Sequence, residues 1–314
     1  MDEAPMVLVL SGGLSNEREV SLISGAEMAK ALSVHFPVEQ HILNAHSLPE
    51  WIDSDRYVVF PALHGEFGED GVLQEMLEVR GIHYSGSDSA SSALCMDKVA
   101  SKALVEKAGV RTSRDVHFTS CPSLNELDRI IAEAGPSIVI KPTNQGSSCG
   151  VSFVDSRDAL SRAVEALHDG PWMFEERIYG REFSVGVLAG KALGVVEIVP
   201  RDGSYDYKHK YTPGTTDYIF PAKIDLSLEQ EMKRFAEISF RVCACRDFAR
   251  VDLMATENEA YFLEINTIPG LTPTSLLPKS ARCHGMDFTA LAQLMVEPAI
   301  QRFYSRASSV KAFL

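Results

Sequence analysis

The sequence predicts an α/β protein whose N-terminal part is a parallel sheet covered by helices on both faces. Three observations carry this. The apolar run MVLVL (6–10) stops at Ser11-Gly12-Gly13 and gives way to a helical pattern, as a buried strand entering a tight turn does. Strand-like and helix-like segments then alternate, the mark of βα units around a parallel sheet. The 314 residues are 45% hydrophobic and 23% charged, ordinary values for a globular chain with room for two or three subdomains.

Taken in chain order, the first strand is followed by the helix NEREVSLISGAEMAKAL, with Ser15 or Asn16 as its cap. VEQHIL (38–43) and YVVFPAL (57–63) are further strands. HGEFGEDG (64–71) is a loop, and VLQEMLEVRG (72–81) is a helix closed by Gly81. A boundary near Asp97 ends a first unit, 1–97. The second, 98–180, opens with the basic amphipathic helix KVASKALVEKAGV. It continues with strand SIVIKP (137–142), the small-residue loop NQGSSCG (144–150), strand VSFV, helix DALSRAVEALH and strand WMFEERI (172–178). The third, 181–314, holds EFSVGVLAGKALGVVEIVP (182–200), which alternates like a hairpin. A polar, tyrosine-rich loop (202–218), the helix LSLEQEMKRFAEISFRVCA and a second hairpin follow. In that hairpin two β-forming runs, 249–254 and 260–265, flank the turn Glu257-Asn258-Glu259.

The net charge of −13 argues against bulk binding to nucleic acid or to an anionic membrane, and leaves room for a local basic pocket. No apolar run approaches a membrane span. The acidic start MDEAP and its short apolar run lack signal-peptide character. The six cysteines form no CxxC, and no histidine spacing completes a zinc site, so reduced thiols in a cytoplasmic protein are expected.

The second hairpin carries the densest chemistry. Side chains alternate along a strand, so Arg250 and Asp252 share one face, and Glu264 and Asn266 share another. If the hairpin brings these together, the carboxylates and the amide oxygen form a hard-oxygen set suited to Mg²⁺. Arg250 would then stand where transferred charge develops. A salt-bridged surface hairpin is the plain alternative. Glu17, in the first helical turn, either complements the helix dipole or holds a ligand's ammonium group at the sheet's C-terminal edge. His64, in a glycine-rich loop, is a weaker candidate for orienting a substrate. Lys98, Lys141 and Lys210 lie in separate segments. Lys141 ends an apolar strand before Pro142, a position held over a cleft, and the loop after it offers N–H groups and hydroxyls to a phosphate.

The ordered motifs HGEFGEDG, MDKVASK, IVIKPTNQGSSCGVS, FEERIYGREF, YDYKHKY, ARVD and FLEINTIPGLTPTS, from about Val7 to Phe288, resemble the D-alanine–D-alanine ligases of the ATP-grasp superfamily. The resemblance implies a three-domain ATP-grasp fold: 1–97 as the N-terminal substrate domain, 98–180 as the central subdomain, and 181–314 as the C-terminal one with a lid loop and the Mg²⁺ site. It implies ATP-dependent joining of two D-alanines through an acyl phosphate, for peptidoglycan precursor synthesis. ATP and Mg²⁺, or Mn²⁺ in its place, are the implied cofactors, and a cytoplasmic homodimer is the implied assembly. Residue by residue, Lys98, Lys141, Gly146, Ser147 and Ser148 match the phosphate grip. Glu175, Glu176 and Ile178 match the adenine edge, and Glu182 the ribose contact. Asp252, Glu264 and Asn266 match the metal ligands. Arg250 and the Gly270 N–H match the groups that stabilise the tetrahedral intermediate. Glu17, with His64 near it, matches the first-substrate site; Lys210, Ser275 and the Leu276 N–H match the second. Tyr211, in the segment matching the mobile lid, completes a triad with Glu17 and Ser147, and its presence favours an amine as acceptor.

Three departures from the family pattern stand out. Asp247 replaces the usual glycine and either bends the turn or is exposed. Asn144-Gln145 replaces a usual glutamate. Cys149 in the phosphate loop replaces an aliphatic residue and suggests thiol sensitivity. The competing readings are another carboxylate–amine or depsipeptide ligase, a dinucleotide-dependent oxidoreductase, disfavoured by the missing GxGxxG, and a non-catalytic nucleotide-binding regulator.

Overall fold

A computed structural model describes residues 4–146, 150–201 and 214–311. The N-terminal strands β1 (Met6–Gly12), β2 (Val38–Leu43), β3 (Tyr57–Pro61) and β4 (His83–Tyr84) form a sheet in the order β2-β1-β3-β4, parallel throughout. Both faces of β1 are buried, which is why its sequence is apolar without alternation. On one face Leu8, Leu10 and Val59 pack with Leu73 and Leu77 of α2 (Val72–Val79). On the other, Val7, Val9 and Phe60 pack with Met28 and Leu32 of α1 (Arg18–Leu32). That second face is completed from the far end of the chain. Leu291, Met295 and Ala299 belong to the C-terminal helix, Phe288–Lys311, and enter the same cluster.

A second sheet, β5 (Asp115–Phe118), β6 (Ile138–Pro142), β7 (Ser152–Val154) and β8 (Trp172–Glu176), runs β5-β8-β6-β7 and is antiparallel. Helices α5 (Leu127–Ala134) and α6 (Arg157–Ala166) bury Ile130, Leu160 and Val164 with Ile138, Ile140 and Phe174 of this sheet. The third sheet holds β9 (Arg181–Leu188), β10 (Lys191–Pro200), β11 (Thr216–Ile219), β12 (Phe248–Ala255) and β13 (Ala260–Asn266), antiparallel in the order β11-β10-β9-β12-β13. Its core takes Val105 from α4 (Lys98–Lys107) and Cys95 from α3 (Ser89–Met96). Met232 and Phe235 come from α7 (Leu226–Val242). Two helices close the chain, α8 (Leu276–Arg282) and α9, the C-terminal helix named above.

Some local expectations are corrected. Neither Ser15 nor Asn16 caps α1, which starts after Glu17 with no side-chain cap. Ser15 Oγ instead donates to the His64 carbonyl at 2.7 Å, tying the helix entry to the loop at 64–71. β3 stops at Pro61 and β8 at Glu176, short of the sequence limits. Asp247 is not exposed. It is buried, with φ +61° in the left-handed region where glycine is favoured. The cysteines Cys95, Cys121, Cys243, Cys245 and Cys283 are free thiols; Cys149 lies outside the described residues.

Candidate active site

The β12–β13 pairing sets Asp252 opposite Glu264 and Arg250 opposite Asn266, so all four side chains meet as cross-strand neighbours. Arg250 holds Asp252 in a fork, Nε–Oδ1 2.9 Å and Nη2–Oδ2 2.6 Å. Ser184 on β9, whose register places it beside Asp252, donates to Oδ1 at 2.7 Å, and Asn266 Nδ2 donates to Oδ2 at 3.2 Å. Facing carboxylates need a cation between them. Arg250 supplies one from its side and Lys98 from the other, 3.3 Å from Glu264 Oε2. Among the described residues no cluster of three His, Cys, Asp or Glu side chains forms a metal site. The set is two carboxylates and an amide, which suits an ion that fills its remaining positions with water and phosphate oxygens.

Lys98 begins α4, where the Asp97 carboxylate caps the Val99 and Ala100 N–H groups at 2.9 and 3.1 Å. Its Nζ also donates to the Gln145 carbonyl at 2.7 Å, so this one ammonium bridges the stem of the small-residue loop and the hairpin. On β6 and β8, Val139 pairs with Glu175, which sets Lys141 diagonally across from that glutamate. Lys141 Nζ lies 2.5 Å from Glu175 Oε1. Glu175 is 4% exposed. Burial pushes its carboxyl up, but the ammonium groups of Lys141 and Lys102 outweigh it and hold the group below the ordinary glutamate range. Lys102 was not singled out by sequence. It reaches Glu175 Oε2 at 3.3 Å and Asp115 at 2.7 Å, and with Ser113 it fixes the carboxylate that positions Lys141. Its signal was available, because it lies one helical turn after Lys98 on the same face of α4.

These groups line one cavity of about 430 Å³ between the second and third sheets. Lys98, Lys141, Glu175, Glu176, Ile178, Glu182, Asp252 and Glu264 are all in its wall, and Val139, Phe153, Met254 and Leu263 give it apolar surfaces. Asn266 and Gly146 stand in a smaller adjoining space that Lys98 and Glu264 also border. Ser147, Ser148, Lys210 and Tyr211 lie outside the described residues.

A second group of residues adjoins it from the N-terminal sheet. His64 is 4% exposed; its Nε2 meets Ser24 Oγ at 2.9 Å, and its Nδ1 lies 3.2 Å from both Glu69 Oε1 and the Ile268 carbonyl. Ser24 Oγ also accepts from the Leu271 N–H at 3.4 Å. His64 thus joins the loop at 64–71 to the loop after β13 that contains Gly270. Glu17 lies over both glycine segments. A methyl group on Gly65 would meet its Oε2 at 2.8 Å, and one on Gly146 at 3.9 Å. A Cβ on Gly65 would make the end of the Glu17 side chain swing aside, and φ +74° at Gly65 lies in the left-handed region that favours glycine. Burial, reinforced by Glu17, pushes the Glu69 carboxyl above its ordinary range. At the far side, Ser275 precedes α8 and accepts from the Thr272 N–H at 3.1 Å, while a Cβ on Gly270 would stand 3.0 Å from Ser275 Oγ. The Leu276 N–H opens α8, in the turn whose N–H groups have no partner within the helix.

The arrangement offers two ammonium groups beside an apolar slot, a carboxylate–amide set with an arginine, and backbone donors at a helix start. That is equipment for anchoring a polyphosphate and stabilising charge on an acyl centre. Comparison with known proteins gives the same direction. The family models described as "D-ala D-ala ligase N-terminus" and "D-ala D-ala ligase C-terminus" match residues 37–87 and 104–297. A curated D-alanine–D-alanine ligase from Desulforudis audaxviator is 40% identical over 303 residues, covering 94% of this chain and 98% of that one. The crystal structure of a Bacillus anthracis D-alanine–D-alanine ligase complexed with ATP superposes with a TM-score of 0.81 at 29% identity, covering 96% of this chain and all of that one (100%). The VanG D-Ala:D-Ser ligase of Enterococcus faecalis gives 0.81 at 30% identity, over 95% and 100% of the two chains.

Proposed function

The chain belongs to the D-alanine–D-alanine ligase family and is an ATP-dependent ligase of D-alanine for peptidoglycan synthesis; from that premise we propose which of its residues carry the reaction. The reading rests above all on one observation, the convergence of Lys98, the Lys141–Glu175 pair, Asp252 and Glu264 on a single cavity with apolar walls.

In this reading the adenine lies against Val139, Phe153, Met254 and Leu263, with the backbone of residues 175–178 at its edge and Glu182 at the ribose. Lys98 and Lys141 neutralise the phosphates, and Glu175 holds Lys141 in place, so little reorganisation is needed when the nucleotide arrives. Asp252, Glu264 and Asn266 would hold Mg²⁺, or Mn²⁺ in its place, which supplies charge neutralisation at the transferring phosphoryl group. The first D-alanine sits with its ammonium at Glu17 and near His64. Its carboxylate oxygen bonds to the γ-phosphorus and ADP departs, leaving an acyl phosphate. The amine of the second D-alanine, its carboxylate held by Ser275, the Leu276 N–H and Lys210, then bonds to the acyl carbon. Arg250 and the Gly270 N–H stabilise the tetrahedral oxyanion before phosphate leaves. Ser147 and Tyr211 would link the phosphate loop and the lid to Glu17. The division at residues 97 and 180, the homodimer and a cytoplasmic location belong to the same proposal. No helix among the described residues is long and apolar enough to cross a membrane.

The test is phosphate release with MgATP, D-alanine and separate additions of L-alanine, D-serine and D-lactate, with products identified by mass. D-alanine alone giving the dipeptide is the expected result. A D-alanyl-D-serine product formed in preference would assign the acceptor to D-serine, within the alternative reading of another carboxylate–amine ligase; the Enterococcus faecalis D-Ala:D-Ser ligase matches with the same TM-score of 0.81 as the ATP-complexed Bacillus anthracis enzyme. ATP binding without turnover of any substrate would overturn the residue assignment.

A further inference from the structure

A third cavity, of about 250 Å³, lies where β4, the residues leading into β12 and the last turns of α9 meet, and it shares no wall residue with the nucleotide cavity. Its wall carries three guanidiniums, from Arg246, Arg302 and Arg306, against one carboxylate, Glu78. Arg302 is committed to Asp247 behind the wall, through two contacts of 2.8 and 2.7 Å, and to the Tyr84 carbonyl at 2.8 Å. Arg246 donates to the Gly86 carbonyl at 2.6 Å and lies 4.6 Å above the Tyr84 ring. Arg306 donates to the Gly81 carbonyl at 2.7 Å. Neither of these two faces a carboxylate at ion-pair distance among the described residues. Glu78 already accepts from Tyr84 Oη and from the Ser89 N–H and Oγ. Setting Arg302 against Asp247 and one of the others against Glu78 leaves one guanidinium of the wall unmatched there; Asp88, at the start of α3, is the next carboxylate and acts on Glu78 and Tyr84. The Nε2 atom of His83 is buried beside them with no hydrogen-bond partner. Burial, then Arg306, Arg302 and Arg246, push that imidazole below its ordinary range.

Like charges converging around an unfilled hydrogen-bonding nitrogen are unfavourable unless an anion joins them. Guanidinium groups fit the forked oxygens of phosphate best. The volume falls just under the roughly 300–1,000 Å³ of pockets for drug-sized ligands, which limits the occupant to a small one. We propose that this cavity is a second anion site, taking inorganic phosphate, pyrophosphate or the phosphoryl group of a small metabolite on Arg246 and Arg306 beside His83. Its occupant would touch the residues that lead from β4 and into β12. Arg246 and Asp247 lead directly into β12, which carries Arg250 and Asp252, and Asp247 accepts from the Gly86 N–H at 2.9 Å after β4.

The test follows the imidazole signal of His83 by NMR in the full chain, assigned with His83→Asn, while inorganic phosphate or pyrophosphate is titrated against sodium chloride of equal ionic strength. A saturable movement of that signal and a rise of the His83 pKa are expected, with half-saturation in the millimolar range or below. Arg306→Gln should weaken the response about tenfold while leaving dipeptide formation unchanged, and Arg246→Gln should repeat the loss independently. A His83 signal that phosphate and pyrophosphate leave in place, or that chloride and either variant move equally, would overturn the site and leave an adventitious ion only.

Discussion

The half-buried Glu69 and the buried Glu175 respond to their surroundings in opposite ways. Glu69, pushed up by burial and by Glu17, favours its protonated form in the fold. Its contribution to stability is therefore full below the ordinary glutamate range and is lost as pH rises through the raised folded value. Glu69→Gln should be more stable relative to the parent near neutrality than at pH 4, with the gap closing on acidification; urea unfolding at several pH values measures it. Glu175 is held down by its lysines, so its contribution is present above the ordinary range and is lost as pH falls through the folded value. Lys102→Met leaves that buried carboxylate with a single ammonium partner. It should cost about 3 kcal/mol of stability and weaken ATP binding, because Lys141 loses its fixed partner; calorimetric ATP titration separates the two effects. Arg250→Ala should lower kcat by about 10²–10³ with a smaller change in the KM for ATP, as steady-state kinetics would resolve.

Among the elements, the link between Asp247, Gly86 and Arg302 joins β4, the start of β12 and α9. Asp247 takes a left-handed conformation to reach both partners, which a glycine would adopt without strain. Asp247→Gly should therefore cost roughly 1 kcal/mol less than Arg302→Ala, which strands the buried carboxylate; paired denaturation curves test the order. This element set also marks what the sequence made legible. β1, β2, β6 and the β12–β13 hairpin were readable because each is an apolar or alternating run bounded by turn residues, and the hairpin brought the metal-type residues with it. Helix α9 was not singled out, because Pro298 interrupts its pattern and its apolar face is completed only against β1 and β3. β4 and β11 are two and four residues long, too short to show a period. Lys102 shares a helix face with Lys98 and could have been nominated on that spacing, whereas its partner Glu175 and the His64–Ser24 contact join separate segments, and linear spacing carries no record of such pairings. The exposed alternative for Asp247 failed because its partner Arg302 lies 55 residues away.

At the scale of the whole molecule, the cavity proposed for ATP lies between two antiparallel sheets, while the candidate first-substrate residues hang from the parallel one. The parallel sheet is not self-sufficient. Val7, Val9 and Phe60 are covered in part by Leu291, Met295 and Ala299. Residues 1–97 expressed alone should accordingly bind the dye ANS and lack dispersed NMR signals, whereas adding the segment 288–314 as a separate peptide should reduce the dye signal. A compact, dye-free fragment would show that α1 suffices to close that face.

The same dependence of the first strand on the last helix has a temporal side. β1 leaves the ribosome long before α9 does. At about 5–20 residues per second, the intervening chain takes roughly 15–60 s to synthesise. Throughout that interval the part of the nascent sheet's apolar face that α9 later covers is open to whatever surrounds it. A chaperone that shields that face during synthesis should therefore raise the yield of folded protein.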